Sequence, residues 1–161
     1  MPAVYEGHGL RFQFPESWQL EENDTDDGWS LSVTSENTAY VQLVGQPTPE
    51  IDLEEGIAAE LAENPSEDPL LLGMMAAATE ALREDYPDLE LESILEGKIG
   101  GIASITQQAH FISFDISVTC TLFCVRTPTQ IVLILCQASD LEESEAEPMF
   151  AALVKSLRWQ K

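Results

Sequence analysis

The sequence predicts an α+β fold in which an antiparallel β-sheet of six or seven strands is flanked by helices. Two groups of segments alternate apolar and polar residues, which is the period of a half-buried strand. A region of helical period separates the two groups, and another closes the chain. Because the connections within each group are too short to hold a crossover helix, neighbouring strands should run antiparallel.

The first group contains three predicted strands. Residues 10–14 and 29–33 alternate apolar and polar side chains, and residues 39–44 form a third short strand. Between the first two lies an acidic stretch, residues 21–27, which is so polar that it predicts a loop. Its carboxylates suit a hard cation such as calcium, but neither useful register places the glycine and the final glutamate that an EF-hand needs. We therefore expect a solvated loop, and cation binding there stays open.

Two helices are predicted next. Residues 51–63 carry apolar side chains at helical spacing, with acids in the first turns that complement the positive helix N-terminus. After an Asn-Pro break, a second helix is predicted over residues 68–85 and ends before Pro87. Its Met74 and Met75 would suit a surface that adapts to a bound peptide. Such a stripe is more typical of a buried helix face, which is the prediction made here.

The second group contains four predicted strands, at residues 89–94, 99–109, 112–124 and 130–138. The alternation over residues 112–124 is the clearest in the chain and predicts one continuous strand beside residues 130–138. Residues 97–98 predict a turn, and the two glycines at 100–101 predict a bulge or a point of close approach. An amphipathic segment over residues 145–158 predicts the closing helix. A chain of 161 residues with 44% apolar composition is expected to form a single domain over residues 1–161.

The charge balance excludes several classes of partner. The chain has 29 Asp and Glu against 7 Lys and Arg, a formal net charge of −22. Such a field repels nucleic-acid backbones and anionic membranes, and it steers a protein partner with a basic surface toward the chain. The acids could equally serve solubility alone. No apolar run is long enough to span a bilayer and the N-terminus lacks the pattern of a secretory signal, so we expect a cytoplasmic protein.

The sequence predicts no catalytic, cofactor-binding or metal-binding residue. Cys120, Cys124 and Cys136 lie in apolar strand-like sequence and are expected to be buried, unpaired thiols in a reducing compartment. Cys120 and Cys124 would be about 13 Å apart on one strand, too far for a disulfide or a shared zinc ion. His8 and His110 form no metal-ligand spacing, and neither a nucleophile elbow nor a phosphate-binding loop is present.

Three local segments resemble a known family. They are GLRFQFPESW at residues 9–18, GKIGGIA at residues 97–103 and LVKSLRW at residues 153–159. In this order they resemble the PsbP-like (Mog-type) family. That family includes the photosystem II extrinsic subunit P, a Ran-binding nuclear-import factor and effector chaperones of type VI secretion. The resemblance covers nearly the whole chain, but the matching positions are ones that build the sheet.

The resemblance implies an α/β/α sandwich and a non-enzymatic protein-binding module, adaptor or chaperone-like, without any cofactor. It carries over no functional residue. A second hypothesis is a small-molecule-binding or catalytic domain with a pocket between sheet and helices, because a site assembled from distant residues leaves no spacing pattern. The first hypothesis expects a protein partner, and the second a pocket with converging polar groups.

Overall fold

A computed structural model describes residues 2–25, 28–35, 39–47, 68–127 and 130–159. Within these ranges the elements are β1 (Pro2–Gly7), β2 (Leu10–Pro15), β3 (Gln19–Thr25), β4 (Gly28–Thr34), β5 (Tyr40–Pro47), α1 (Pro69–Asp85), β6 (Glu90–Leu91), β7 (Leu95–Ile99), β8 (Ile102–Ser113), β9 (Ile116–Arg126), β10 (Gln130–Ser139), α2 (Glu143–Ser156) and β11 (Arg158–Trp159).

The strands form two antiparallel sheets. The main sheet has eight strands in the order β3-β4-β5-β10-β9-β8-β6, with β7 also paired to β8. The second sheet has three strands in the order β1-β2-β11. Every pairing among the described strands is antiparallel. The α+β class and the antiparallel sheet are confirmed, whereas six or seven strands was too few because the predicted strands did not include β1, β3, β7 or β11.

The main sheet has an apolar core on each face. On one face, Phe12 of β2 and Leu153 of α2 pack with Cys136 of β10. On the other face, Met75 of α1 packs with Cys120 of β9, and Met74 lies against the same core. Strand β10 supplies both cores, which is why its sequence is apolar on both faces. The prediction that the methionine stripe of α1 is a buried face is confirmed.

The two helices within the described residues lie where the sequence predicts them. Helix α1 begins after Asp68, whose side chain accepts a 3.0 Å hydrogen bond from the backbone N–H of Leu70 and so caps the helix. Helix α2 covers most of the predicted closing segment. The prediction of a helix over residues 51–63 lies outside the described residues.

The predicted continuous strand over residues 112–124 is wrong in its first part. Strand β8 ends at Ser113 and β9 begins at Ile116, with Ser113 and Ile116 directly opposite each other. A turn of two residues does not interrupt the alternation of apolar and polar residues along the sequence. The pattern of the hairpin is therefore the same as that of one continuous strand. The remainder, β9, does pair with β10 as predicted.

Other local predictions are also wrong. The acidic stretch over residues 21–27 is largely strand, since β3 runs to Thr25 and pairs along β4. It is an edge strand, where acidic side chains are tolerated because they discourage further pairing. Residues 97–98 belong to β7 rather than to a turn. The turn is at residues 100–101, where both glycines have positive φ, 59° and 85°, so those residues are a hairpin turn and not a bulge. The predicted close approach is confirmed at Gly100, where an added Cβ would lie 2.8 Å from the indole of Trp159.

Candidate functional site

The hairpin that joins β8 to β9 ends in an exposed apolar tip. Its turn contains only Phe114 and Asp115, because Ser113 pairs with Ile116. Phe114 is 96% exposed, and the flanking Ile112 and Ile116 are 56% and 37% exposed. We call Ile112, Phe114 and Ile116 the hairpin tip.

The backbone of this turn is one that phenylalanine rarely adopts. The φ angle is 52° at Phe114 and 64° at Asp115, so both residues are left-handed. The described turns at residues 8–9 and 100–101 have the same length and handedness, and each places glycine at its second position. A left-handed residue other than glycine costs about 1–2 kcal/mol. Folding therefore does not explain why this turn holds an aromatic side chain in solvent.

Carboxylates surround the hairpin tip. Asp115 lies in the turn, and Oδ2 of Asp88 accepts a 3.3 Å hydrogen bond from the backbone N–H of Ile112. Asp140 is held beside the hairpin by a 2.9 Å hydrogen bond from its N–H to the carbonyl of Ser117. Asp88 and Asp140 also line a shallow cavity of about 530 Å³ next to the tip. The result is an apolar centre within a rim of negative charge.

The second histidine of the chain lies on the same hairpin. Nε2 of His110 is 2.9 Å from Oε2 of Glu92, and its Nδ1 is 3.3 Å from the hydroxyl oxygen of Thr119. The pair is half-exposed and extends the polar surroundings of the tip along β8. It joins one carboxylate to one imidazole, so among the described side chains it does not form a three-ligand cluster.

A different cluster lies at the turn between β1 and β2. Nε2 of His8 is 2.7 Å from Oε1 of Glu22 and 3.7 Å from Oδ1 of Asp24. The imidazole stacks on the indole of Trp29, with ring centroids 4.9 Å apart and planes 12° from parallel. We call His8, Glu22 and Asp24 the His8 cluster. The acidic stretch of the sequence analysis thus supplies two carboxylates to a histidine that is far away in sequence.

Among the described residues, cavities lie between the sheets and α2. An open groove of about 700 Å³ is lined mainly by apolar side chains, among them Phe14, Pro15 and Met149. A smaller cavity of about 300 Å³ is lined in part by Phe123 and Cys136. Both follow from the packing of an amphipathic helix over a sheet.

The three cysteines are free and buried, as the sequence predicts. Burial raises the pKa of Cys120 and of Cys124 to about 12. Burial also raises the pKa of Cys136, and nearby Cys120 contributes in the same direction. None of these thiols has the depressed pKa of a reactive cysteine.

We expect all three thiols to react slowly with a thiol reagent in native buffer and rapidly in denaturant. The physical reason is that each sulfur is shielded from solvent and is held in the poorly nucleophilic protonated form. Mass spectrometry of the labelled protein against time measures both rates. Rapid modification of two or more thiols before unfolding would contradict this placement of the strand faces.

Sequence reasoning missed both clusters of side chains. Phe114 left one signal, since it is followed by an aspartate within a strand-like run that could hide a two-residue turn. The acidic stretch that supplies Glu22 and Asp24 was a signal for the His8 cluster, but nothing in the sequence links it to His8, because His8 and Glu22 meet only when the three-stranded sheet packs beside the edge strand β3. Within the described residues, neither helix is long and apolar enough to cross a membrane.

No family model and no curated protein matches the sequence. Solved structures do share its fold. PsbP (CyanoP) of the cyanobacterium Synechocystis matches with a TM-score of 0.65 at 12% identity over 98% of this chain and 92% of that one. LpqN of Mycobacterium tuberculosis, described as involved in cell envelope biogenesis, matches with a TM-score of 0.61 at 12% identity over 100% and 90%.

A third solved structure, from Bacteroides thetaiotaomicron, matches with a TM-score of 0.59 at 12% identity. The match covers 99% of this chain but only 48% of that one, so this chain corresponds to about half of the longer protein. At this level of identity the three likenesses establish the architecture, a PsbP-like fold, and do not transfer any function.

Proposed function

We propose that the protein is a non-enzymatic binding module, adaptor or chaperone-like, that docks on a protein partner through the hairpin tip. The observation that carries the proposal is Phe114, an aromatic side chain held 96% exposed on a turn whose backbone disfavours it. Strained residues persist where function requires them. The proposed compartment is the cytoplasm, in keeping with three free thiols.

The shape of the tip indicates how it would bind. A phenylalanine on a rigid two-residue turn loses little conformational freedom when it enters a pocket, and buried aromatic anchors dominate the energy of many interfaces. The isoleucines on either side would exclude water around it. The tip therefore fits a partner with an apolar pocket as wide as one aromatic ring.

The rim of the tip indicates the charge of that partner. Asp88, Asp115 and Asp140 surround the apolar centre, on a chain whose net charge is −22. Complementary charge raises the rate of association and fixes orientation. We propose that basic side chains ring the partner's pocket. The shared fold of LpqN and PsbP (CyanoP) supports this proposal at the level of architecture only.

The groove between β2 and α2 is a weaker candidate, for an apolar small molecule. Its lining is explained by helix packing, since the apolar face of α2 must cover β2. The hairpin tip has no such explanation within the fold. We therefore rank protein docking first.

Site-specific crosslinking tests the proposal. A photo-reactive amino acid placed at position 114 in the cells that make the protein should capture one partner, whereas the same group at Leu95 should not. Leu95 is a matched control because it is 65% exposed on a different hairpin.

With the purified partner, association should slow as salt shortens the screening length from about 10 Å at 0.1 M to about 3 Å at 1 M.

The decisive variant is Phe114→Asn. Asparagine tolerates the left-handed backbone, so the variant should fold at least as stably as the parent chain. Its affinity for the captured partner should fall by at least about 30-fold, the effect of losing one interface hot spot of about 2 kcal/mol. Leu95→Asn should leave affinity unchanged. Equal affinity of Phe114→Asn and the parent, or an association rate that ignores salt, would contradict the proposal.

A further inference from the structure

We infer that the His8 cluster is a binding site for one divalent transition-metal cation, with Zn²⁺ as its best probe. The Nε2 or Nδ1 atom of His8 and one carboxylate oxygen each of Glu22 and Asp24 lie within 4.8 Å of one another. This inference is independent of the hairpin tip, because the two sites lie near opposite ends of β10, at Gln130 and at Ser139.

The ligand types suit such a cation. An imidazole nitrogen and two carboxylate oxygens bind zinc at about 2.0–2.2 Å, which requires the three atoms to lie about 3–4 Å apart. His8 is 2.7 Å from Glu22 and 3.7 Å from Asp24, so small side-chain rotations bring all three onto one ion. Two carboxylates balance the charge of a divalent cation, and a water molecule would complete four-fold coordination.

Trp29 and Gln130 hold His8 in place. Trp29 is the direct partner of Asp24 across β3 and β4, and His8 stacks on its indole, so the imidazole lies beside the carboxylate. Gln130 accepts a 2.9 Å hydrogen bond from Nε1 of Trp29 and donates a 2.8 Å hydrogen bond to the carbonyl of His8. Trp29 and His8 are therefore tied together by one side chain.

The Trp29 platform itself depends on a glycine. A methyl group at Gly45 would overlap the indole ring, so only glycine at this position of β5 lets Trp29 lie flat across the strand. The same close approach explains how a partly exposed histidine can be supported by a buried tryptophan on β4, next to the edge strand β3.

A buried tyrosine orients one of the carboxylates. The side chain of Tyr5 is buried, and its hydroxyl donates a hydrogen bond to the carboxylate of Glu22. Hydrogen bonds of this kind position metal ligands, and their loss typically lowers metal affinity by about 10–100-fold. Gln130 therefore supports His8 and Tyr5 supports Glu22, so two of the three proposed ligands have a hydrogen-bonding partner.

The chain contains an internal comparison. His110 lies 2.9 Å from the single carboxylate of Glu92, so it pairs an imidazole with one acid rather than two. A partly exposed histidine beside an acid is therefore present at both positions, and the third ligand distinguishes them. A site that is merely acidic would attract zinc to both histidines.

Zinc titration tests the inference, with Zn²⁺ alone competing against a chromogenic chelator at about pH 8, where an ordinary imidazole is neutral. We expect one strong site. His8→Asn, which retains a residue suited to the left-handed turn, and Glu22→Gln should each weaken it at least about 10-fold. Glu21→Gln is the matched control, because it removes the same charge from the next position of β3 on the opposite face of the strand, and it should change affinity less than about 2-fold.

Proton NMR of the two histidine rings gives a second readout. The ring resonances of His8 should shift and saturate at one equivalent of Zn²⁺ while those of His110 stay in place. Two results would overturn the inference. One is equal loss of affinity in Glu21→Gln and Glu22→Gln, and the other is parallel shifts of both histidines, since each indicates diffuse attraction to a negative surface.

Discussion

Replacing Asp68 by alanine is expected to lower the free energy of unfolding by about 2–4 kcal/mol. Asp68 is 5% exposed and has two roles. Its Oδ1 accepts the hydrogen bond that caps α1, and its Oδ2 is 2.9 Å from Nη2 of Arg126 at the end of β9. The alanine variant removes the cap and leaves a largely buried guanidinium without this carboxylate.

The magnitude follows from the setting of the ion pair. Loss of a helix N-cap typically costs about 1 kcal/mol, and removal of one partner from a fully buried pair about 3–5 kcal/mol. The side chain of Arg126 is 24% exposed, so water recovers part of that loss. Asp68→Asn retains an oxygen for the cap and should show roughly half of the effect.

Denaturant unfolding of three variants checks this expectation. Glu80→Ala is the control, because Glu80 and Arg83 form an exposed pair on the same helix at 3.9 Å, which is worth less than about 0.5 kcal/mol. The order of destabilisation should be Asp68→Ala, then Asp68→Asn, then Glu80→Ala. If Asp68→Ala costs no more than Glu80→Ala, the ion pair does not fasten α1 to the sheet.

The sequence identified those elements whose period agrees with their burial. In α1, the spacing of Leu71, Met75 and Thr79 places them on one face, and these are its buried residues. In β10, apolar residues on both faces are typical of a central strand, and it lies between β5 and β9. In such elements one pattern of residues satisfies both local structure and packing, so periodicity alone is enough.

The wrong predictions have a common physical origin. The alternation of apolar and polar residues in a strand does not indicate where the chain turns or which strands lie beside that strand. Phe114 and Asp115 preserve the phase of the alternation while reversing the chain direction, so Ile112 lies on the face of its partner Ser117 and not on the face of Val118. The polar residues of β3 predicted a loop, because an edge strand exposed to solvent can have the polar composition of a loop. Neither distinction is encoded in a two-residue period.

The candidate sites were harder to predict than the fold. The His8 cluster needs the packing of the second sheet beside β3, which is a tertiary event with no spacing in the sequence. The hairpin tip is defined by a conflict between side chain and backbone, so it can be recognised only once the turn is known. Residues that are unfavourable for the local backbone are expected at functional sites, because function rather than folding selects them there.

Replacing Phe12 by alanine is expected to lower the free energy of unfolding by about 3–5 kcal/mol. Phe12 is fully buried, and its ring centroid is 5.3 Å from that of Tyr5 and 6.1 Å from that of Phe14. It joins the three-stranded sheet to the core that contains Cys136. Phe12→Leu, which leaves a much smaller void, should cost less than about 1.5 kcal/mol and is the matched control.

The cysteines make this variant a test of whether the described chain unfolds as one unit, as we propose for residues 1–161. Cys136 reports on the core that contains Phe12, while Cys120 and Cys124 report on the core beneath α1. The two cores share strands β9 and β10, in which Cys136 pairs with Thr121 and Cys120 with Gln137. Opening one core therefore breaks the strand pairing that supports the other.

We expect Phe12→Ala to accelerate labelling of all three thiols by the same factor, about 10²–10⁴-fold for a loss of 3–5 kcal/mol, in mild denaturant where labelling follows unfolding. Mass spectrometry of the separate cysteine-containing peptides measures each rate. Acceleration at Cys136 alone would show that the core on the α2 side opens by itself. The described chain would then unfold as two units. The shared strands β9 and β10 would not be enough to make the two cores unfold together.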